Sequence, residues 1–124
     1  MIAADSSSLI AFLAGEDGAD VEAIASALAA RQFRIPPPAI SELMTKGDPA
    51  LITLLIQEAP TLAIEPGFWE RVGQNRRLLY GKGLKASLGD ALIAQCCIDA
   101  DVPLIARDRD YRHFERWCGL KLAV

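Results

Sequence analysis

Short, largely apolar runs alternate along the chain with stretches of helical periodicity. The runs typical of short buried strands are residues 2–4, 33–35, 61–64, 102–106 and 120–124. Helices are predicted over residues 9–13, 19–31, 38–47, 49–58, 68–81 and 87–101, while residues 107–114 are expected to form a loop or a single helical turn. Short strands that alternate with helices indicate an α/β fold, specifically a three-layer α/β/α sandwich with a mostly parallel sheet of about five strands.

Residues that favour helix starts support these boundaries. Ser6, Ser7 and Ser8 are candidate N-caps for the first helix, and Asp48 followed by Pro49 is a cap-then-proline signal for the fourth. Ser87 is the predicted N-cap of the most apolar helix.

Length and composition restrict the class of protein. A chain of 124 residues with 52% hydrophobic and 23% charged positions is typical of one compact domain, here residues 1–124, and excludes a disordered or low-complexity chain. Three cysteines, two of them adjacent, disfavour a secreted disulfide scaffold, so a cytoplasmic location is expected. The sequence has no predicted targeting signal, and its apolar runs are far shorter than the ~18 residues of a membrane span.

The net charge of −3 is unevenly distributed. Residues 1–70 contain three Lys/Arg against ten Asp/Glu, whereas residues 71–124 contain ten against six. Four cations precede Asp90 and are candidates for contacts with substrate phosphates: Arg76, Arg77, Lys82 and Lys85. A solvated surface of mixed charge is the alternative for this segment.

Several carboxylates are predicted at the carboxyl edge of the sheet, where open parallel sheets bind their ligands. Asp5 closes the first strand and Asp108 follows the fourth, while Glu42 and Asp90 lie in the first turns of predicted helices. Each has a structural alternative: a turn or cap for Asp5, helix-dipole stabilisation for Glu42, a capping box for Asp90 and a solvated charge run for Asp108.

Four converging carboxylates would need cations. Two like charges about 4 Å apart repel by roughly 4 kcal/mol at an effective dielectric constant of 20. Hard oxygen ligands select Mg²⁺ or Mn²⁺, and two such ions would balance four carboxylates and could assist in-line attack on phosphorus. Zinc is disfavoured because histidine and cysteine lack a ligand spacing, and His113 is the only histidine.

The order of these acids resembles that of PIN-domain ribonucleases, specifically VapC-type toxins. The resemblance spans the chain and is most specific at Asp90-Ala-Leu-Ile-Ala and at Asp108-Arg-Asp-Tyr. It implies a metal-dependent endoribonuclease whose metal ligands and catalytic residues are Asp5, Glu42, Asp90 and Asp108. It further implies a homodimer and a VapB-like antitoxin that blocks the site.

Two positions depart from or lie outside that pattern. Ala106 stands where the family commonly has Thr or Ser, so a ligand-orienting hydroxyl is lost. Asp110 is not among the four predicted ligands. It could bind a metal beside Asp108 or only support Asp108 from behind.

Other classes of function remain as alternatives. A non-catalytic RNA- or protein-binding module of the same fold is the main one. A haloacid-type phosphatase is disfavoured because it needs a second Asp at the position of Ser7, and a receiver domain needs an Asp after the third strand, where the chain continues Glu65-Pro66. The aromatic residues Phe68, Trp69, Tyr111 and Trp117 could stack on bases, with core or interface packing as the alternative.

Overall fold

The computed structural model describes residues 1–123, which fold into parallel strands connected by helices. In chain order the elements are β1 (Ile2–Ala4), α1 (Ser6–Leu13), α2 (Ala19–Ala29), β2 (Phe33–Arg34), α3 (Pro37–Lys46), α4 (Pro49–Glu58), α5 (Phe68–Gly81), α6 (Leu88–Ala100), β3 (Leu104–Ile105) and α7 (Tyr111–Cys118). The predicted α/β class is confirmed.

Strand β1 lies at the centre of the sheet, in the order β2-β1-β3, and is parallel to both neighbours. Ile2 pairs with Phe33 on one side, and Ala4 pairs with Ile105 on the other. All three strands therefore end at the same edge of the sheet.

Both faces of the sheet are covered. Consecutive strand residues point to opposite faces, yet Ala3 and Ala4 are both fully buried, as are Leu104 and Ile105. Helix α2 packs against all three strands. The predicted three-layer arrangement follows from this burial on two sides.

The sheet has fewer regular strands than predicted. Within residues 1–123, the predicted third and fifth strands are reduced to single parallel bridges, Thr61 to Ile35 and Leu122 to Leu104. These bridges sit at the two outer edges, beside β2 and β3. Val124, the end of the predicted fifth strand, lies outside the described residues. The predicted fourth strand, 102–106, is shortened to Leu104–Ile105.

Two helices differ from the prediction. Helix α1 starts at Ser6 because the Asp5 side chain caps it, so the predicted serine caps lie inside the helix. Residues 111–118 form the two-turn helix α7, which the prediction of a loop or single turn missed. Tyr111 and Phe114 bury one face of this helix, and Gly119 ends it in the left-handed conformation at φ 84°.

In the described part of the chain, no helix combines the length and apolar character needed to cross a membrane. The three cysteines are unpaired, as predicted for a chain without a disulfide framework. Cys96 and Cys97 are buried in α6, where burial raises the pKa of both thiols, to about 12 for Cys96.

Candidate metal centre

Asp5 lies directly after the central strand, at the carboxyl edge of the sheet. Its main-chain N–H donates to the carbonyl of Ile105 at 2.9 Å, which continues the β1–β3 pairing by one residue. Its Oδ1 accepts from the main-chain N–H of Ser8 at 2.9 Å and caps α1. The residue is only 1% exposed, and this burial raises the pKa of its carboxyl group. Asp5 is therefore both a helix cap and a buried acid at the site.

Glu42 reaches the same edge from helix α3. The Ser6 hydroxyl donates to Glu42 Oε1 at 2.9 Å. On its other side the carboxylate faces Gly89, where a Cβ atom would lie 3.4 Å from Glu42 Oε2. Glu42 thus lies between the first turns of α1 and α6.

Three further carboxylates form a compact cluster. One oxygen from each of Asp90, Asp108 and Asp110 lies within 4.8 Å of the others. Asp90 is in the first turn of α6, where its N–H donates to Ser87 Oγ at 3.4 Å. Asp108 Oδ1 accepts from the main-chain N–H of Asp110 at 2.9 Å, which folds the β3–α7 loop so that both acids face the cluster.

Electrostatic repulsion within this cluster is only partly compensated. Desolvation, followed by the charges of Asp108 and Asp110, raises the pKa of Asp90, although hydrogen bonding to Ser87 and Tyr111 works in the opposite direction. Lys85 Nζ is 3.5 Å from Asp110 Oδ2, but its side chain is largely exposed. The cluster is therefore a site of excess negative charge.

Tyr111 joins the separate acids into one centre. Burial and then the negative charges of Asp90, Asp5 and Glu42 raise the pKa of its hydroxyl far above the ordinary value. All three carboxylates therefore lie near one buried phenol, and Asp90 also belongs to the cluster with Asp108 and Asp110. Sequence reasoning treated Tyr111 as a core or stacking residue and kept Asp110 outside the ligand set. The available signal was that both lie in the same short Asp-Arg-Asp-Tyr segment as Asp108.

An ion pair anchors the loop that carries two of these acids. Arg107 donates to both oxygens of Asp20 on α2, from Nε at 2.9 Å and from Nη2 at 3.1 Å. Hydrogen bonding from Arg107 is the largest cause of the lowered pKa of Asp20. Gly18 leaves room for this pair, since a Cβ there would lie 2.6 Å from Asp20 Oδ1. The residue next to Asp108 is thus fixed to the body of the domain.

The four predicted phosphate-binding cations take different positions. Lys85 is at the acidic cluster, and Lys82 lies with Nζ 3.8 Å from the centre of the Trp117 ring. Arg76 donates to the main-chain carbonyl of Ala86 at 2.9 Å, and Arg77 is exposed on α5. Of the four, Lys85 is therefore the one that adjoins the acidic cluster.

The donor set fits a hard divalent cation. All five side chains offer carboxylate oxygens, the ligands that Mg²⁺ and Mn²⁺ prefer. The single histidine of the sequence, His113, has its Nε2 atom 4.0 Å from Asp110 Oδ1. The three-acid cluster of Asp90, Asp108 and Asp110 could hold an ion, with Asp5 and Glu42 beside it.

Comparison with known proteins gives the class. The PIN domain family matches residues 2–116, and the chain belongs to that family. PIN domains are generally nucleases, and they typically use divalent metals. Among solved structures, the chain is similar to one from the "Crystal structure of VapBC2 from Rickettsia felis bound to a DNA fragment from their promoter". The two share 17% sequence identity and a TM-score of 0.78 over 99% of this chain and 98% of that one, so the fold is the same. A comparison with curated proteins gives no match.

Proposed function

We propose that the protein is a metal-dependent endoribonuclease of the VapC toxin type, which hydrolyses RNA phosphodiester bonds. The observation that carries the proposal is the convergence of Asp90, Asp108 and Asp110 within 4.8 Å, next to the buried Asp5 and the half-buried Glu42. Membership of the PIN family supports nuclease chemistry.

In this proposal, Asp5, Asp90 and Asp108 hold Mg²⁺ or Mn²⁺, Glu42 completes the set, and Asp110 joins it. Such ions, two per site, supply an activated water and charge neutralisation at the leaving oxygen when bound. Ser6, which donates to Glu42, keeps that carboxylate turned towards the site and able to accept a proton from the attacking water.

The remaining polar groups orient the acids and the substrate. Tyr111 supports Asp90 from the buried side. Lys85 reaches the rim of the cluster and can approach a phosphate there, because its side chain is 74% exposed. A lysine beside a cluster of metal-binding carboxylates is suited to a polyanion, because the ions and the lysine can both contact its phosphates.

We further propose a VapB-like antitoxin as the protein partner and a homodimer as the assembly, both acting in the cytoplasm. The solved structure of similar fold is that of VapBC2 bound to a DNA fragment, which supports this choice of partner. Co-expression with the product of the adjacent gene should give a complex whose cleavage rate is suppressed. An unchanged rate in its presence would remove this part of the proposal, and light scattering of the free chain would test the dimer.

The nuclease proposal is tested by cleavage of a mixed cellular RNA pool with Mg²⁺ or Mn²⁺. Asp5→Asn and Asp110→Asn should abolish or strongly reduce cleavage, and EDTA should do the same to the parent chain. Asp17→Asn is the matched control, because Asp17 is an exposed acid outside the cluster. Mapped fragment ends would identify the cleavage sequence.

Two results would contradict the nuclease. Equal cleavage by the parent and Asp5→Asn chains would indicate a contaminant. Absence of cleavage together with absence of Mn²⁺ binding would favour the non-catalytic binding module, for which the missing hydroxyl at Ala106 is the relevant feature.

A further inference from the structure

Helix α7 presents an exposed tryptophan flanked by two cations. Trp117 is 40% exposed, although it lies one turn after Phe114, which together with Tyr111 is buried against the core. Lys82 Nζ lies 3.8 Å from the centre of the indole ring, and Arg116 Cζ lies 4.9 Å from it. The ring contacts these two cations, and Trp117 is not among the buried core residues.

The ring lies a short distance from the acidic cluster. Helix α7 begins directly after Asp110, and seven residues at 1.5 Å rise place Trp117 roughly 10 Å along the helix axis. At 3.4 Å per stacked nucleotide this distance corresponds to about three nucleotides.

The segment that carries Lys82 connects the ring to the cluster. Lys85, three residues later, pairs with Asp110 at 3.5 Å. The segment is fixed at its far end, since both Tyr80 Oη and Arg76 Nε donate to the carbonyl of Ala86, at 3.0 and 2.9 Å. One short segment thus places one lysine at the cluster and another on the tryptophan.

We propose that Trp117 is a stacking platform for one nucleobase of single-stranded RNA, with Lys82 and Arg116 contacting the adjacent phosphates. This rests on the proposed function, because it takes RNA as the ligand. Aromatic rings bind bases through their π faces, and neighbouring cations neutralise the phosphate backbone. The strand would run from Trp117 along the 82–85 segment to the acidic cluster.

Trp69, the other exposed tryptophan, has different surroundings from Trp117. Trp69 is 64% exposed and packs edge-on against Phe68, with ring centres 5.0 Å apart. Its neighbours in the sequence include Glu65 and Glu70, which would repel a polyanion. Trp69 is therefore the matched control for Trp117.

The two tryptophans can be observed separately, because the chain contains only these two. The probe is a short single-stranded oligouridylate, titrated in EDTA at low salt so that no cleavage occurs. In the Trp69→Phe chain the remaining fluorescence comes from Trp117 and should be quenched by the oligonucleotide. In the Trp117→Phe chain the signal from Trp69 should change little.

Affinity gives the second readout. Trp117→Ala should weaken binding of the labelled oligouridylate by roughly 5- to 150-fold, while Trp69→Ala leaves it unchanged. Lys82→Gln should lower the slope of log affinity against log salt by about 0.7. Equal affinity of the parent and Trp117→Ala chains, or equal quenching of both tryptophans, would overturn the proposal. If Trp117→Ala does not fold, the quenching result with Trp69→Phe decides.

Failure of this proposal can be told apart from failure of the nuclease. Binding in EDTA needs no catalysis. If the chain cleaves RNA but the fluorescence of Trp117 is not quenched, the nuclease proposal stands and the stacking proposal fails. The converse result is also possible. If Trp117 is quenched but the Asp5→Asn variant cleaves as fast as the parent, the stacking proposal stands and the nuclease proposal fails.

Discussion

Neutralising Asp90 should stabilise the metal-free protein. Desolvation and the charges of Asp108 and Asp110 raise the pKa of this carboxyl group, so its ionised form is disfavoured in the folded state. The same group contributes stability at low pH, and that contribution is lost as pH rises through its folded-state pKa. At pH 7 the variant Asp90→Asn is therefore free of a cost that the parent chain bears.

The magnitude follows from the spacing of the cluster. Two charges 4.8 Å apart, the upper limit for these oxygens, repel by about 3.5 kcal/mol at an effective dielectric constant of 20 and by about 0.9 kcal/mol in water. Asp90 has two such neighbours, and both are open enough to solvent that the lower value is the better guide. Asparagine also loses about 0.3–1 kcal/mol of favourable interaction with the N-terminus of α6. The net gain should be about 1–1.5 kcal/mol, or roughly 4–6 °C in Tm.

Thermal unfolding in EDTA and in Mn²⁺ measures this gain. Asp90→Asn should unfold at a higher temperature than the parent in EDTA, and Mn²⁺ should raise Tm of the parent much more than that of the variant. Asp99→Asn is a matched change on the same helix with the opposite expected sign. Burial raises the pKa of Asp99, but hydrogen bonds from Arg71 and Gln95 more than offset it, so loss of this charge should destabilise the chain. A lower Tm for Asp90→Asn in EDTA, or equal stabilisation of both chains by Mn²⁺, would refute the reasoning.

Three further predictions concern the support of the site. Tyr111→Phe should weaken Mn²⁺ binding by roughly 10–100-fold with little change in Tm, because Asp90 loses a hydrogen-bond donor while the ring still fills the core; calorimetric titration checks this, and unchanged affinity would contradict it. Asp20→Asn should free Arg107 and speed hydrogen exchange in residues 107–110, and exchange at the parent rate would show that the ion pair does not hold the loop. The contribution of Asp5 to the stability of the metal-free chain should be lost as pH rises above about 4, because burial raises the pKa of Asp5 from 3.8; Asp5→Asn should lack this loss, and denaturant titration of both chains across this pH range measures the difference.

The placement of two acids was predictable from the strand pattern. Asp5 and Asp108 follow strands that are parallel neighbours, so the topology alone brings them to one edge. Asp90 was predictable from the cap at Ser87, which fixes where helix α6 begins. The position of Glu42 depends on how α3 packs beside α6, and no local pattern specifies that packing.

Helix α7 was harder to predict because charge dominates its sequence. It contains two arginines, a histidine and a glutamate among eight residues, and only Tyr111 and Phe114 are fully buried. Tyr111, Phe114 and Cys118 follow the i, i+3, i+7 spacing of a helix, so a periodic signal was present, but the segment spans only two turns and its other positions include four charged or ionisable residues. The lengths of the outer strands were overestimated for a different reason. A short apolar run fits the pattern of a strand, but a regular strand also needs a partner along its whole length. Thr61 and Leu122 each form only one bridge.

The described residues do not supply enough positive charge to neutralise the carboxylates of the site, so a bound ion or partner has to supply it. Five carboxylates meet around Tyr111 and the β3–α7 loop, and the neighbouring hydroxyl groups of Ser6, Ser87 and Tyr111 are neutral. Within residues 1–123 the cations that approach the cluster are Lys85, which is largely exposed, and the ionisable His113 at 4.0 Å. Arg107 is already committed to Asp20. Divalent ions, or a cationic segment of a partner, would relieve the same repulsion, so metal binding and inhibition by a basic peptide should compete for this one site.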